Sequence, residues 1–253
     1  MEGFKDFFEM SKLTDIIGNV PQRPDYHAEG DVLRHCKMVR VQLEKAISIM
    51  QREISNPNSP LSNLDPNYTE EDKNILRISS FTHDLGKKSS TRIGGIYWQD
   101  TEKLKKLYGD KPNLNQARAI GHEQSHYFNP VARELLKSPI WYKMFGNASF
   151  PDKKILWFIV NNHMIGREGM SKRMSRRCID SSGKYFNDRR LKLLLTFVLM
   201  DKMGRVSGLG ETDDAGNFIG SLEVSAEKIK KQAAQVRKNR SPQLQSLQRP
   251  PTL

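Results

Sequence analysis

The sequence predicts an all-α protein: a helical bundle. Three observations predict it. Apolar residues recur at helical spacing along most of the chain. With 253 residues the chain is long enough for one large domain with a sizeable core. The 6 histidines fall in an ordered series with acidic residues, on or beside these helical stretches, rather than at scattered positions.

The elements are read in chain order. The first ten residues, with Phe4, Phe7 and Phe8, lead with Leu13 into an amphipathic helix docked on the core. Glu2, Asp6 and Glu9 replace the basic start of a signal peptide, so none is expected. Residues 31–50 form the first core helix, with Val32, Val39, Leu43, Ala46, Ile47 and Met50 on its apolar face and Asp31 as N-cap. Residues 55–68 are a proline-rich loop. Residues 70–84 form the second core helix, which Gly86 helps to end. Residues 88–116 are polar and irregular, an excursion over the site with one short helix near 102–107. Residues 120–137 are helical, and 152–164 form an apolar helix around Ile155, Leu156, Phe158, Ile159 and Val160. A basic segment covers 165–184. Residues 189–206 form a buried helix that ends in Met200-Asp201-Lys202-Met203-Gly204-Arg205. The domain reading is one large unit over 1–220, a polar and then basic helix over 221–240, and a disordered tail over 241–253.

The formal charge is +12, from 41 Lys+Arg against 29 Asp+Glu. Such a field attracts polyanions, nucleic acid or nucleotides among them, though a basic protein with a basic tail has the same composition. No apolar run is long enough to span a bilayer, so no membrane partner is expected. Two cysteines, Cys36 and Cys178, fit a reducing cytoplasm and not a disulfide scaffold. Cys36 adjoins His35, and reads as a small buried hydrophobe ahead of a soft ligand.

The chemistry lies in His27-Ala-Glu29-Gly-Asp31-Val-Leu-Arg-His35, then His83-Asp84-Leu-Gly-Lys87, then His122 and His126, then His163, then Asp201. Imidazole and carboxylate together suit a divalent metal such as Zn, Mn or Fe. Asp201 sits within Leu193-Leu-Leu-Thr-Phe-Val-Leu-Met200, where a carboxylate is costly unless it is paired or metal-bound. Solvent exposure, or a pairing with Lys202 or Arg205, is the competing reading. His35 and His163 singly fit hydrogen-bonded structural histidines. His122 and His126 share a helical face at i, i+4, which suits ligands and ordinary exposed pairs alike.

The ordered set resembles the HD superfamily of metal-dependent phosphohydrolases, with its pattern H…HD…D on a helical bundle. The stretch from His27 to His35 is similar to the motif His-x-Glu-Gly-Asp-Val-x-x-His in the HD domain of bacterial CCA-adding tRNA nucleotidyltransferases. His83-Asp84-Leu85-Gly86-Lys87 and Gly121-His122-Glu123 match later blocks, and the resemblance covers about residues 20–210. It implies His35, His83, Asp84 and Asp201 as primary metal ligands, and His122 and His163 as ligands of a second ion. It implies Lys87 as a phosphate-contacting lysine, with His27 and Glu29 lining the site. It does not imply CCA addition, since the chain offers no nucleotidyltransferase head. His126 stands where related sequences often carry a small residue, and the 88–116 insertion reshapes the pocket.

The expected function is metal-dependent phosphoester hydrolysis with one or two ions of Mn, Ni, Co, Fe, Zn or Mg. A metal lowers the pKa of bound water to about 7. Asp84 would orient that water or bridge ions, and Lys87 would stabilise phosphoryl charge. Arg167, Lys172, Arg173 and Arg176 lie between His163 and Asp201 in sequence, so they are expected to flank the site and contact phosphate or RNA backbone. His126 and Arg205 complete the expected substrate contacts. RNA-end phosphates (2′,3′-cyclic or 2′-phosphates) and nucleotides are the expected substrates. A cyclic nucleotide second messenger and a non-catalytic RNA-binding role are the alternatives.

Overall fold

In a computed structural model the chain is described over residues 17–59, 61–119, 150–164 and 188–205, with six single helical residues between 224 and 235. The expectations for 1–16, for the helix at 120–137 with His122 and His126, for the basic segment with Arg167, Lys172, Arg173 and Arg176, and for the tail at 241–253 lie outside the described residues.

The protein is mostly helical, in keeping with the all-α expectation, and it also carries a small three-stranded sheet. Helix α1 spans Val32–Val41, and Asp31 caps it by accepting a bond from the Arg34 N–H. The single helix expected over 31–50 is divided at Gln42, and α2 runs over Leu43–Ser55. Helix α3 spans Glu70–Thr82 and opens with a reciprocal capping box between Thr69 and Asp72. Gly86 keeps right-handed backbone angles (φ −67°) and leads into the short helix α4, Lys87–Ser90, so it does not act as a left-handed stop.

The excursion at 88–116 is more ordered than expected. Strands β1 (Thr91–Ile93) and β2 (Ile96–Tyr97) form a hairpin whose two-residue turn, Gly94-Gly95, has positive φ at both positions. Helix α5 spans Thr101–Tyr108, close to the short helix expected there. Strand β3, Ala117–Ala119, then pairs antiparallel on the other edge of β1. The strands have only two or three residues, too few to show an alternating pattern. Ile93, Leu104 and Ala117 give this subunit its own small apolar cluster.

Helix α6 spans Phe150–Asn162 and α7 spans Asp188–Met203. Helix α7 is the central element. Its residues Leu193 to Met200 are fully buried on every side, and it packs against α1, α2, α3 and α6. Helix α3 makes the complementary contacts with α1, α2, α6 and α7.

Polar contacts at both ends set the register of α3 on α7. At their N-terminal ends Asp72 pairs with Arg189 at 2.6 Å and with Lys192 at 3.6 Å. At their C-terminal ends His83 meets Asp201 at 3.6 Å. The two helices therefore run side by side in the same direction for about 17 Å. Buried Thr196 lies between these ends and bonds the Tyr68 hydroxyl at 2.6 Å. At the foot of α7, a Cβ on Gly204 would stand 2.7 Å from the Val39 backbone of α1, so only glycine permits this approach.

Candidate metal centre

The site forms where the C-terminal ends of α3, α6 and α7 converge on α1. His35 projects from the first turn of α1. His83 and Asp84 follow the last residue of α3, His163 follows α6, and Asp201 lies in the last turn of α7. His35, His83, Asp84, His163 and Asp201 are all at least 98 % buried. Isolated carboxylates and imidazoles are rarely buried this deeply, so the cluster needs a compensating charge.

The donor atoms face one another. His35 Nε2 lies 3.0 Å from Asp201 Oδ1 and 3.9 Å from Asp84 Oδ2. His83 Nε2 lies 3.4 Å from Asp84 Oδ2 and 3.6 Å from Asp201 Oδ1. Nitrogen and oxygen ligands about 2.1 Å from one ion stand about 3.0–3.4 Å apart, for octahedral to tetrahedral angles. The observed separations therefore bracket a divalent ion with little rearrangement. Three groups among the described residues bring ligand atoms within 4.8 Å of one another: His35, His83 and Asp201; His83, Asp84 and His163; and His27, Glu29 and His35.

Ring orientation points the same way. His83 Nδ1 faces the Ser79 and Ser80 carbonyls at 3.2 and 3.1 Å, and carbonyls only accept. Nδ1 therefore carries the proton, and in the neutral ring the Nε2 lone pair faces Asp84 and Asp201. Lone pair against carboxylate is repulsive, and a cation between them makes it attractive. His163 is oriented alike, its Nδ1 donating to the Val160 carbonyl at 2.7 Å. The His83 and His163 ring centres are 5.1 Å apart.

Two protein cations border the acids. Lys87 Nζ lies 2.7 Å from Asp84 Oδ2 and donates to Gln22 Oε1 at 2.5 Å. Arg205 pairs with Asp201 Oδ2. For Asp201, burial acts to raise the carboxyl, yet Arg205 and His35 outweigh it and hold it well below the ordinary range. For His35, burial acts to lower the ring, and the bonds to Asp201 and Glu29 outweigh it and raise it. Burial pushes His27 down to about 4 despite its bond to Glu29. Cys36, fully buried beside this cluster, has its thiol raised by burial, which keeps it from acting as a thiolate.

The structure thus brings His27, Glu29, His35, His83, Asp84, Lys87, His163, Asp201 and Arg205 into one region. Glu29, expected to line the site, is buried against His27 and His35. Arg205, expected to contact substrate, is engaged with Asp201. Gln22 is a site residue that sequence reasoning missed. It is 95 % buried, and a lone glutamine before a turn carries no periodic or charge signal. Compared with family models, curated proteins and solved structures, the chain matches none.

Proposed function

We propose that the protein is a metal-dependent phosphohydrolase of the HD type. The carrying observation is the convergence of His35, His83, Asp84 and Asp201, with His35 and Asp201 separated by 166 positions, into a buried cage with ion-sized spacing. The resemblance of the ordered motifs to the HD superfamily supports both the scaffold and the ligand set. Complete retention of those four residues speaks against a purely structural HD relic.

A bound divalent ion supplies Lewis acidity and hydroxide at neutral pH. The residues themselves do the rest. Asp84 Oδ2 faces His83 Nε2 at 3.4 Å and Lys87 Nζ at 2.7 Å, so its carboxylate would help to hold the ion and to orient an attacking water. Lys87, held by Gln22 and Asp84, is placed to take up charge on a phosphoryl oxygen. Three acids, Glu29, Asp84 and Asp201, stand against two cations, Lys87 and Arg205. A divalent ion would make the site net positive, which suits a phosphoester anion. His163, beside His83 and Asp84, is the described candidate for a second ion.

The chain's +12 charge favours RNA-end phosphates or nucleotides as the substrate class. The test is a phosphoester panel on protein stripped by chelation and reloaded with Mn, Ni, Co, Mg or Zn. The panel would hold 2′,3′-cyclic, 2′- and 3′-phosphate ends, nucleoside monophosphates and cyclic dinucleotides. Turnover that returns with one of the ions and not without it supports the reading. No turnover of any ester with any ion overturns it.

A further inference from the structure

We infer that Glu29 is a positioning residue that fixes the tautomer of His35 for metal binding, and that His27 holds Glu29 in place. This rests on the metal reading above. One carboxylate oxygen, Glu29 Oε1, stands before two imidazoles: it accepts from His27 Nδ1 at 2.7 Å and lies 3.0 Å from His35 Nδ1, an ion-pair contact off the direction of a hydrogen bond. The Glu29 side chain is fully buried. Its loop is closed by the Gln22 N–H on the Gly30 carbonyl at 3.0 Å and by a bridge between Pro21 and Asp31. The carboxylate is therefore delivered by a fixed turn, and not by a side chain swinging from the surface.

His27 Nδ1 donates to this carboxylate, and an Nδ1 lone pair on His35 would face the same buried oxygen in repulsion, so the neutral His35 ring also keeps its proton on Nδ1. This decides what His35 offers on its other side. Its Nε2 faces Asp201 Oδ1 at 3.0 Å, and Asp201 would also accept a proton from it. In the neutral ring the two carboxylates favour opposite tautomers. The Nδ1–H form leaves an Nε2 lone pair for the ion, and the Nε2–H form blocks the ion's place. Glu29 secures the first form. A carboxylate behind a metal-bound histidine raises its basicity as well, and removing such partners typically costs about 10–100-fold in metal affinity. His27 is the second donor on the same oxygen. Its ring stands edge-on to that of His35, with centres 5.0 Å apart, which prevents Glu29 from turning away.

The test titrates the chelated full-length chain with Mn²⁺ by calorimetry and with Co²⁺ by absorbance, for wild type, Glu29→Gln, Glu29→Ala, His27→Ala and His35→Ala. Circular dichroism and melting of each metal-free variant report folding separately. Glu29→Ala should fold and bind Mn²⁺ about 10–100-fold more weakly, with an altered Co²⁺ ligand-field spectrum. Glu29→Gln keeps an accepting oxygen without its charge and should lose less. His27→Ala should lose least, because the His35 contact remains. Wild-type affinity in a folded Glu29→Ala overturns the role. If Glu29→Ala does not fold, Glu29→Gln decides: several-fold weaker binding supports the role, and unchanged binding overturns it. If wild type binds no ion, the metal reading itself fails and this role with it. If only the Glu29 variants bind normally while His35→Ala does not, the Glu29 role fails alone.

Discussion

At the scale of single residues, Asp201 carries the most weight. It is 99 % buried at the end of an apolar helix, and its two oxygens are divided between a histidine and an arginine. Arg205 alone would explain a structural ion pair. It does not explain why Oδ1 faces His35 and His83 together. Asp201→Asn keeps the shape and removes one anionic donor. Metal content after dialysis, measured by plasma mass spectrometry, should fall from stoichiometric to near zero, while the folded fraction persists. Stoichiometric metal in that variant would make Asp201 a structural partner of Arg205. The ligand types were legible because imidazoles are scarce in this chain and acids are costly in apolar runs. The roles of Glu29 and Gln22 were not. They depend on which atom of a side chain meets which neighbour, and spacing along the chain does not encode that.

At the scale of elements, the site depends on how closely α7 approaches α1. Gly204 permits that approach against Val39, four residues after His35 on α1 and three after Asp201 on α7. Gly204→Ala forces the helices apart. It should cost about 1–3 kcal/mol by overpacking. It should also weaken metal binding, since Asp201 is drawn away from His35. Thermal unfolding with and without metal separates the two effects, and a variant with wild-type melting in both states would contradict the close approach. In sequence, nothing marks Gly204 as a close-approach position, because a crossing partner leaves no local mark. The helix positions were readable, with α3, α6 and α7 placed within a few residues. The break at Gln42 was not, since its backbone (φ −80°, ψ −5°) is nearly helical and no Gly or Pro marks it. The hairpin had a signal that went unused: Gly94-Gly95 flanked by Ile93 and Ile96 is a two-residue turn between apolar residues.

At the scale of the whole molecule, the design places polar contacts at both ends of an apolar core. Asp72 with Arg189 and Lys192 ties α3 to α7 at one end, and the histidine–carboxylate cage ties them at the other. Among the described residues no helix is long and apolar enough to cross a membrane. An ion bound in the cage would join three separate parts of the chain: α1, the end of α3 and the end of α7. It would stabilise the fold by mass action, by about 2.7 kcal/mol when the ion is at a hundred times its dissociation constant. The central claim is that these three parts close on one ion, and anomalous diffraction from crystals grown with Mn²⁺ tests it most directly. The account predicts a peak about 2.0–2.3 Å from His35 Nε2, His83 Nε2 and carboxylate oxygens of Asp84 and Asp201. A well-ordered cage with no peak, or a peak bound elsewhere with Lys87 and Arg205 still neutralising the two aspartates, would contradict it.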